Sequence, residues 1–214
     1  SKSQYLLGSI YVKGEIVTRD IDKAIYYFSL SAQQNNTKSQ VDLAFLYYKG
    51  EYVQRDINKA IYYYLLASNS DNFEAQNALG KIYYEGQYVP RDIKKSIHYY
   101  MLAANKNFPK AQLTLGSIYF EGKYVQRDIN KSIHYYSLAA NQNLAEAQHA
   151  LGYIYSKGIY ITRDINKAIH NYSLAANQNY PYSQNNLGVI YYDGLYITKD
   201  INKSIHYFSL AAHN

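Results

Sequence analysis

Residues Ala111–Asn143 read AQLTLGSIYFEGKYVQRDINKSIHYYSLAANQN, and ten consecutive positions within them gather Asp128, Lys131, Ser132, His134, Tyr135 and Ser137. Such a crowd could be mistaken for a reaction centre, but the same words recur along the whole chain. Arg-Asp-Ile, or Lys-Asp-Ile, begins at Arg19, Arg55, Arg91, Arg127, Arg163 and Lys199, always 36 residues apart. Gly14, Gly50, Gly86, Gly122, Gly158 and Gly194 keep the same interval. Self-similarity at such a period marks a repeat architecture and overrides most local readings. The copies are 1–36, 37–72, 73–108, 109–144, 145–180 and 181–214, which accounts for all 214 residues. A single array is expected, with no stretch left for a separate catalytic domain. Residue 1 falls inside a copy, so a fragment of a longer chain is expected, with room for a catalytic domain such as a kinase outside it.

Composition narrows the classes further. Hydrophobic residues at 48% with 18% charged are ordinary for a folded domain. No run of 18 apolar residues is present, which excludes a helical membrane span. Cysteine is absent, so neither a disulfide framework nor a thiolate metal site is available. The formal charge of +6 divides over the copies as +1, 0, +2, +2, +1 and 0. That thin, even excess differs from the concentrated basic face of a nucleic-acid binder and argues against such a partner. The compartment stays open.

Counting each copy from 1, the same residue fills position 4 (Gln), 7 (Leu), 11 (Tyr), 14 (Gly), 20 (Asp), 21 (Ile), 23 (Lys), 25 (Ile) and 30 (Leu) in all six copies. Positions 1–13 predict a first helix, opened by Pro109 and Pro181 in two copies. At about 100° per residue, Ala111, Gln112, Leu115, Ile118 and Tyr119 share its core side. Gly122 and its equivalents stop it in the left-handed conformation. A short loop leads to Asp128, an N-cap whose carboxylate accepts from free N–H groups at the positive end of the helix dipole. The second helix buries Ile129, Ser132, Ile133, Tyr136, Ala139 and Ala140, and Asn143 ends it in a left-handed turn. One such antiparallel pair cannot bury its apolar face alone, so neighbours must stack. The expected fold class is all-α, a right-handed α/α superhelical solenoid of twelve helices in six 36-residue helix-turn-helix repeats.

The unit resembles the Sel1-like repeat of the tetratricopeptide-repeat-like superfamily. Ala111, Leu115, Gly116, Tyr119, Gly122, Val125, Asp128, Lys131, Tyr136, Ala139 and Ala140 fall on the family pattern. Two departures stand out: Ile16, Tyr52, Tyr88, Tyr124, Tyr160 and Tyr196 replace a loop glycine, and Ala44 replaces the glycine of the other copies. The resemblance implies a non-enzymatic scaffold or adaptor, of the kind used in signalling or protein quality control. It implies a protein or peptide partner bound on a concave face made by the first helices, and no cofactor.

Chemical alternatives fail on spacing. Ser132 and His134 project roughly 160° apart on one helix, too far for the contact of about 2.6–3.2 Å that a nucleophile and its base need. His98, His134, His170 and His206 sit on equivalent helices about 8–10 Å apart, which no single metal ion bridges. The Arg-Asp pairs, Arg19-Asp20 through Arg163-Asp164, are expected to combine helix capping with ion pairs between copies.

Function should lie where copies differ on a shared face. Positions 2, 5, 9 and 12 oppose the core side of the first helix. They supply the candidate partner-binding residues Val41, Phe45, Tyr48, Asn77, Lys81, Tyr84, Leu113, Phe120, His149, Tyr153 and Tyr192, with a polar rim from Lys49, Glu85, Glu121, Lys157 and Asp193. Aromatic residues beyond core needs suit peptide capture. The competing expectation is that stacked first helices bury part of each ring. The alternative function is a helical-repeat RNA-binding module, with rings stacking bases, but the mixed Lys and Glu rim disfavours it. The last helix keeps the interior pattern Ile201, Ile205, Phe208 and Ala212 where a solenoid normally carries a polar cap. Either a cap is missing or the ends self-associate.

Overall fold

The 36-residue period resolves into twelve helices in the computed structural model, which describes residues 1–213. Asn214, the last position of the sixth copy, lies outside the described residues. First helices are α1 (Lys2–Lys13), α3 (Thr37–Lys49), α5 (Phe73–Glu85), α7 (Pro109–Glu121), α9 (Ala145–Lys157) and α11 (Pro181–Asp193). Second helices are α2 (Ile21–Ala32), α4 (Ile57–Asn69), α6 (Ile93–Asn105), α8 (Ile129–Ala140), α10 (Ile165–Ala176) and α12 (Ile201–Ala212). No strand occurs among the described residues. The contacts gather into two compact units, Ser1–Lys106 with α1–α6 and Asn107 onward with α7–α12.

The punctuation marks of the sequence set these boundaries. Every first helix ends on its glycine at φ between 62° and 68°, with the glycine N–H bonded back to the carbonyl four residues earlier. An added Cβ would be strained there whatever the space, and at Gly122 it would come 2.6 Å from Arg127 Cβ. Asp20, Asp56, Asp92, Asp128, Asp164 and Asp200 cap the second helices, each accepting from the backbone N–H three residues on. Asn35, Asp71, Asn107, Asn143 and Asn179 take the left-handed turn after five of those helices, at φ 58–61°.

In the first unit one core joins Ala24, Phe28 and Ala32 of α2 to Leu43 and Leu46 of α3. The next joins Tyr64 and Ala67 of α4 to Ala75, Leu79 and Ile82 of α5. The second unit repeats the scheme with Tyr136, Ala139 and Ala140 against Ala147, Leu151 and Ile154, then Tyr172 and Ala176 against Leu187. Alanines where helices meet let the large side chains interleave at native density. The glycine at position 8 serves the ring at position 28: a Cβ on Gly116 would stand 2.5 Å from Tyr136 Cδ1. The copy with Ala44 instead keeps both Ala44 and Tyr64 buried in one cluster.

The invariant glutamine is the polar centre of each copy. Gln40, Gln76, Gln148 and Gln184 donate from Nε2 to the carbonyls of Ala32, Ser68, Ala140 and Ala176, at the end of the preceding second helix. This satisfies carbonyls that a helix terminus leaves without intrahelical partners. Three copies also satisfy the glutamine oxygen from position 34: Gln34 donates to Gln4 at 2.8 Å, Gln142 to Gln112 at 2.7 Å and Gln178 to Gln148 at 2.8 Å. Where position 34 is Ser70 or Lys106, the Oε1 atoms of Gln40 and Gln76 are buried without a partner.

Candidate functional site

The residues crowded into the conserved segment are engaged in packing and capping. Ser132 is buried and His134 exposed, so the two face apart. The imidazoles of His98, His134 and His206 meet the next tyrosine of their own helix edge-on, at 5.2–5.3 Å between centroids. Lys131 ion-pairs with Asp128 at 3.3 Å and lies 5.1 Å over the Tyr119 ring, which stacks on Tyr135 at 6.0 Å. The same Lys-Tyr-Tyr pile stands on Tyr11, Tyr47, Tyr83 and Tyr191, which explains why position 23 and position 11 never vary. The capping backbone N–H, followed by the lysine, holds each Asp carboxyl below its ordinary range.

Among the described residues, none of Arg19, Arg55, Arg127 and Arg163 makes the expected ion pair with an Asp of another copy. The capping carboxylate already holds the lysine one turn on, and the arginine turns to the tyrosine that replaces the family's loop glycine in the next copy. Arg19 lies 5.1 Å over the Tyr52 ring and Arg55 4.9 Å over Tyr88, each also donating to the phenol oxygen, at 3.3 and 2.7 Å. In the second unit Arg127 donates to Tyr160 Oη and lies 4.5 Å over its ring, and Arg163 lies 4.2 Å over Tyr196. The guanidinium also donates to the last carbonyl of its own first helix, at 3.0 Å from Arg55 to Lys49 and from Arg127 to Glu121. Planar donors on a stacked plate do what a lysine at this place cannot.

The candidate face divides by exposure. Phe45 (50%), Tyr153 (37%), Tyr192 (55%) and Lys81 open to solvent. Asn77, Tyr84 and His149 are half-buried. Val41 and Tyr48 pack beside the α4–α5 core, and Leu113 and Phe120 beside the α8–α9 core, so the partial burial of rings by neighbouring copies holds there. Tyr48 donates to Glu85 at 3.5 Å and meets Tyr88 edge-on, while Phe120 meets Tyr153 edge-on at 6.2 Å.

Grooves run beside these residues within each unit. In the first, a groove of about 380 Å³ is lined by Tyr5, Val12, Phe28, Phe45, Leu46 and Tyr52, with Asp42 among them. In the second, one of about 470 Å³ is lined by His149, Tyr153, Tyr172, Tyr182, Asn185, Asn186 and Arg163, among others. His149 sits at its wall among Tyr172, Tyr180 and Tyr182, with Nδ1 2.9 Å from Ser183 Oγ, and burial pulls its pKa down. Tyr182, Asn185, Asn186 and Asp42 escaped the sequence-based candidate list. Asp42 had one available signal, as the single charged residue at position 6 among six copies. No cluster of three or more His, Asp or Glu side chains fit for a metal ion occurs among the described residues, and no helix there is long and apolar enough to cross a membrane.

Helix pairs with capped ends, joined side by side through small residues and carrying their variation on the first helices, define an α/α-repeat solenoid protein. The Sel1 repeat family profile matches residues 1–36, 37–72, 73–108, 109–144, 145–180 and 181–214, and the chain belongs to the Sel1-repeat family. Proteins of this family are generally protein-interaction scaffolds, and the fold is typically non-catalytic. Among solved structures, c5321, a protective antigen of uropathogenic Escherichia coli with this repeat fold, is 32% identical with a TM-score of 0.93. The match covers 99% of this chain and 45% of that one, so the chain spans less than half of its length. A Sel1 repeat protein of Oxalobacter formigenes is 27% identical over 99% of this chain and 87% of that one, with a TM-score of 0.82. Immunity protein Pa5087 of Pseudomonas aeruginosa shares the fold at 21% identity and a TM-score of 0.53, covering 99% of this chain and 81% of that one. No curated protein matches the chain.

Proposed function

We propose that this chain is a non-enzymatic scaffold that holds a protein or peptide partner along the variable face of its first helices. The observation that carries this reading is the split between frame and face. Invariant Gln, Tyr, Asp and Lys side chains are consumed by packing and capping, whereas Phe45, Tyr153 and Tyr192 stay exposed at positions that differ between copies. Exposed rings beside grooves have the chemistry of interface anchors, which contribute large contact area at low conformational cost. Lysines and acids are mixed along the same face, so its field favours a mixed polypeptide surface over a polyphosphate. The test is affinity capture by the full chain against the Phe45→Ala/Tyr153→Ala/Tyr192→Ala variant. Capture should be lost while helicity is kept, and undiminished capture by the folded variant refutes the reading.

A further inference from the structure

Asp42 is out of place energetically. In the other copies its position carries Leu6, Ala78, Thr114, Ala150 and Asn186, none of them charged. Its carboxylate lines an apolar groove, is half-buried, and has neither a hydrogen bond nor an ion pair among the described residues. Burial and then Glu74 push its pKa up to about 6, against which only Lys38 acts. The other carboxylate of the groove, Glu51, ion-pairs with Lys49 at 3.8 Å. Lys49 in turn lies 5.6 Å over the Phe45 ring, and Arg19 is held on Tyr52. Lys13, also in the lining, forms no ion pair with Asp42. Lys49 and Arg19 are thus engaged beside the groove, and Asp42 feels Lys38 and has Lys13 in the same lining but ion-pairs with neither. A half-buried charge without an ion pair is costly, and a fold with five neutral alternatives at this register has no structural need of it.

We propose that the groove lined by Tyr5, Phe28, Phe45, Leu46 and Tyr52 takes an arginine or lysine side chain of a protein partner, whose cationic head pairs with Asp42 while its stem and apolar neighbours lie on the rings. This rests on the first-helix face being the binding surface and specifies what one part of that face selects. The groove's volume of about 380 Å³ suits a single long side chain with part of its flanks, and falls within the range of about 300–1,000 Å³ typical of ligand pockets. A guanidinium within about 4–6 Å favours the ionised carboxylate, so a bound cation relieves the strain of burial. Apolar walls strengthen the pairing by excluding water.

The test pans a phage-displayed library of random heptapeptides at pH 7.5 against the full chain and its Asp42→Asn and Phe45→Ala variants. Peptides enriched on the wild type should share an arginine or lysine beside apolar residues. Resynthesis with citrulline, which keeps the shape of arginine and removes its charge, should weaken binding at least tenfold. Asp42→Asn, nearly isosteric and thus able to fold, should no longer distinguish arginine from citrulline. Lowering the pH to 5 should weaken the arginine peptide on the wild type alone. Peptides that need Phe45 but bind equally with arginine or citrulline overturn the cation assignment and leave the face as a binding surface. Enrichment that ignores both Asp42 and Phe45, or no enrichment, overturns the cation assignment and counts against the face in this region as well.

Discussion

Exchanging Ser70 for glutamine should stabilise the protein, although the Ser70 side chain is exposed. In copies where position 34 is glutamine, its amide donates to the position-4 oxygen at 2.7–2.8 Å and back to the position-30 carbonyl, as Gln34 does to Leu30 at 3.2 Å. Ser70 is too short to reach, and Gln40, 2% exposed, keeps a buried oxygen without a donor. A buried unsatisfied acceptor costs about 1–3 kcal/mol, and ordering an exposed glutamine takes back about 1 kcal/mol. The net expectation for Ser70→Gln is about 1 kcal/mol. Gln178→Ser, which strips the donor from Gln148, should lose a similar amount. With a urea slope of about 2–3 kcal/mol/M, the midpoints should move by about 0.3–0.5 M in opposite directions when unfolding is followed by far-ultraviolet circular dichroism. Repeat arrays can lose cooperativity, so the midpoint and slope are both read. Ser70→Glu matches glutamine in length and lacks the donor, so it should bring no gain. A Ser70→Gln midpoint equal to wild type, or a Ser70→Glu gain equal to that of Ser70→Gln, refutes the reasoning.

Three further outcomes follow from the same contacts. Asp42 has a folded pKa of about 6, above its unfolded value, so its ionisation costs stability fully above pH 6, and the cost is relieved as pH falls toward about 4. Asp42→Asn should therefore melt about 4 °C higher at pH 7.5, equivalent to about 1–2 kcal/mol after allowance for solvent screening, and the gap should close by about pH 4. His149 and the capping aspartates titrate alike in both proteins, so a gap that persists at pH 4 contradicts the assignment. Tyr196→Ala removes the plate under Arg163 and should cost about 1 kcal/mol in urea unfolding; no change would mean that the staple is ornamental. On α12, Ile201 and Ile205 are 42% and 59% exposed, and self-association through them predicts a concentration-dependent mass by light scattering that Ile205→Lys abolishes. A strict monomer at high concentration rules it out.

What was legible in the sequence was what a helix does to itself. The Asp caps, the glycine stops and the left-handed Asn turns each act within about four residues, so their signals are local. The Arg-Tyr staple links residues 33 apart and the paired glutamines link residues 30 apart. Both were open to view only as coincidences between columns: tyrosine where the family pattern has glycine, and glutamine at position 34 in three copies. Tyr160 shows how far the replacement reaches, since it stands at φ 70°, a backbone state that suits the replaced glycine. The candidate face was legible in register but not in depth. A wheel drawn for one helix knows nothing of the neighbouring pair, which half-buries Tyr48 and Phe120 and leaves Phe45 and Tyr192 open. Position 6 lies off the arc of positions 2, 5, 9 and 12, yet the groove places Asp42 beside Phe45.

The division between an invariant frame and a variable binding face is tested most directly by measuring partner capture on two matched triple variants of the full chain. One carries Phe45→Ala, Tyr153→Ala and Tyr192→Ala on the first helices; the other carries Tyr26→Ala, Tyr62→Ala and His134→Ala on exposed positions of the second helices. With both variants helical, capture should vanish in the first and persist in the second, whereas loss confined to the second, or equal loss in both, would contradict the account.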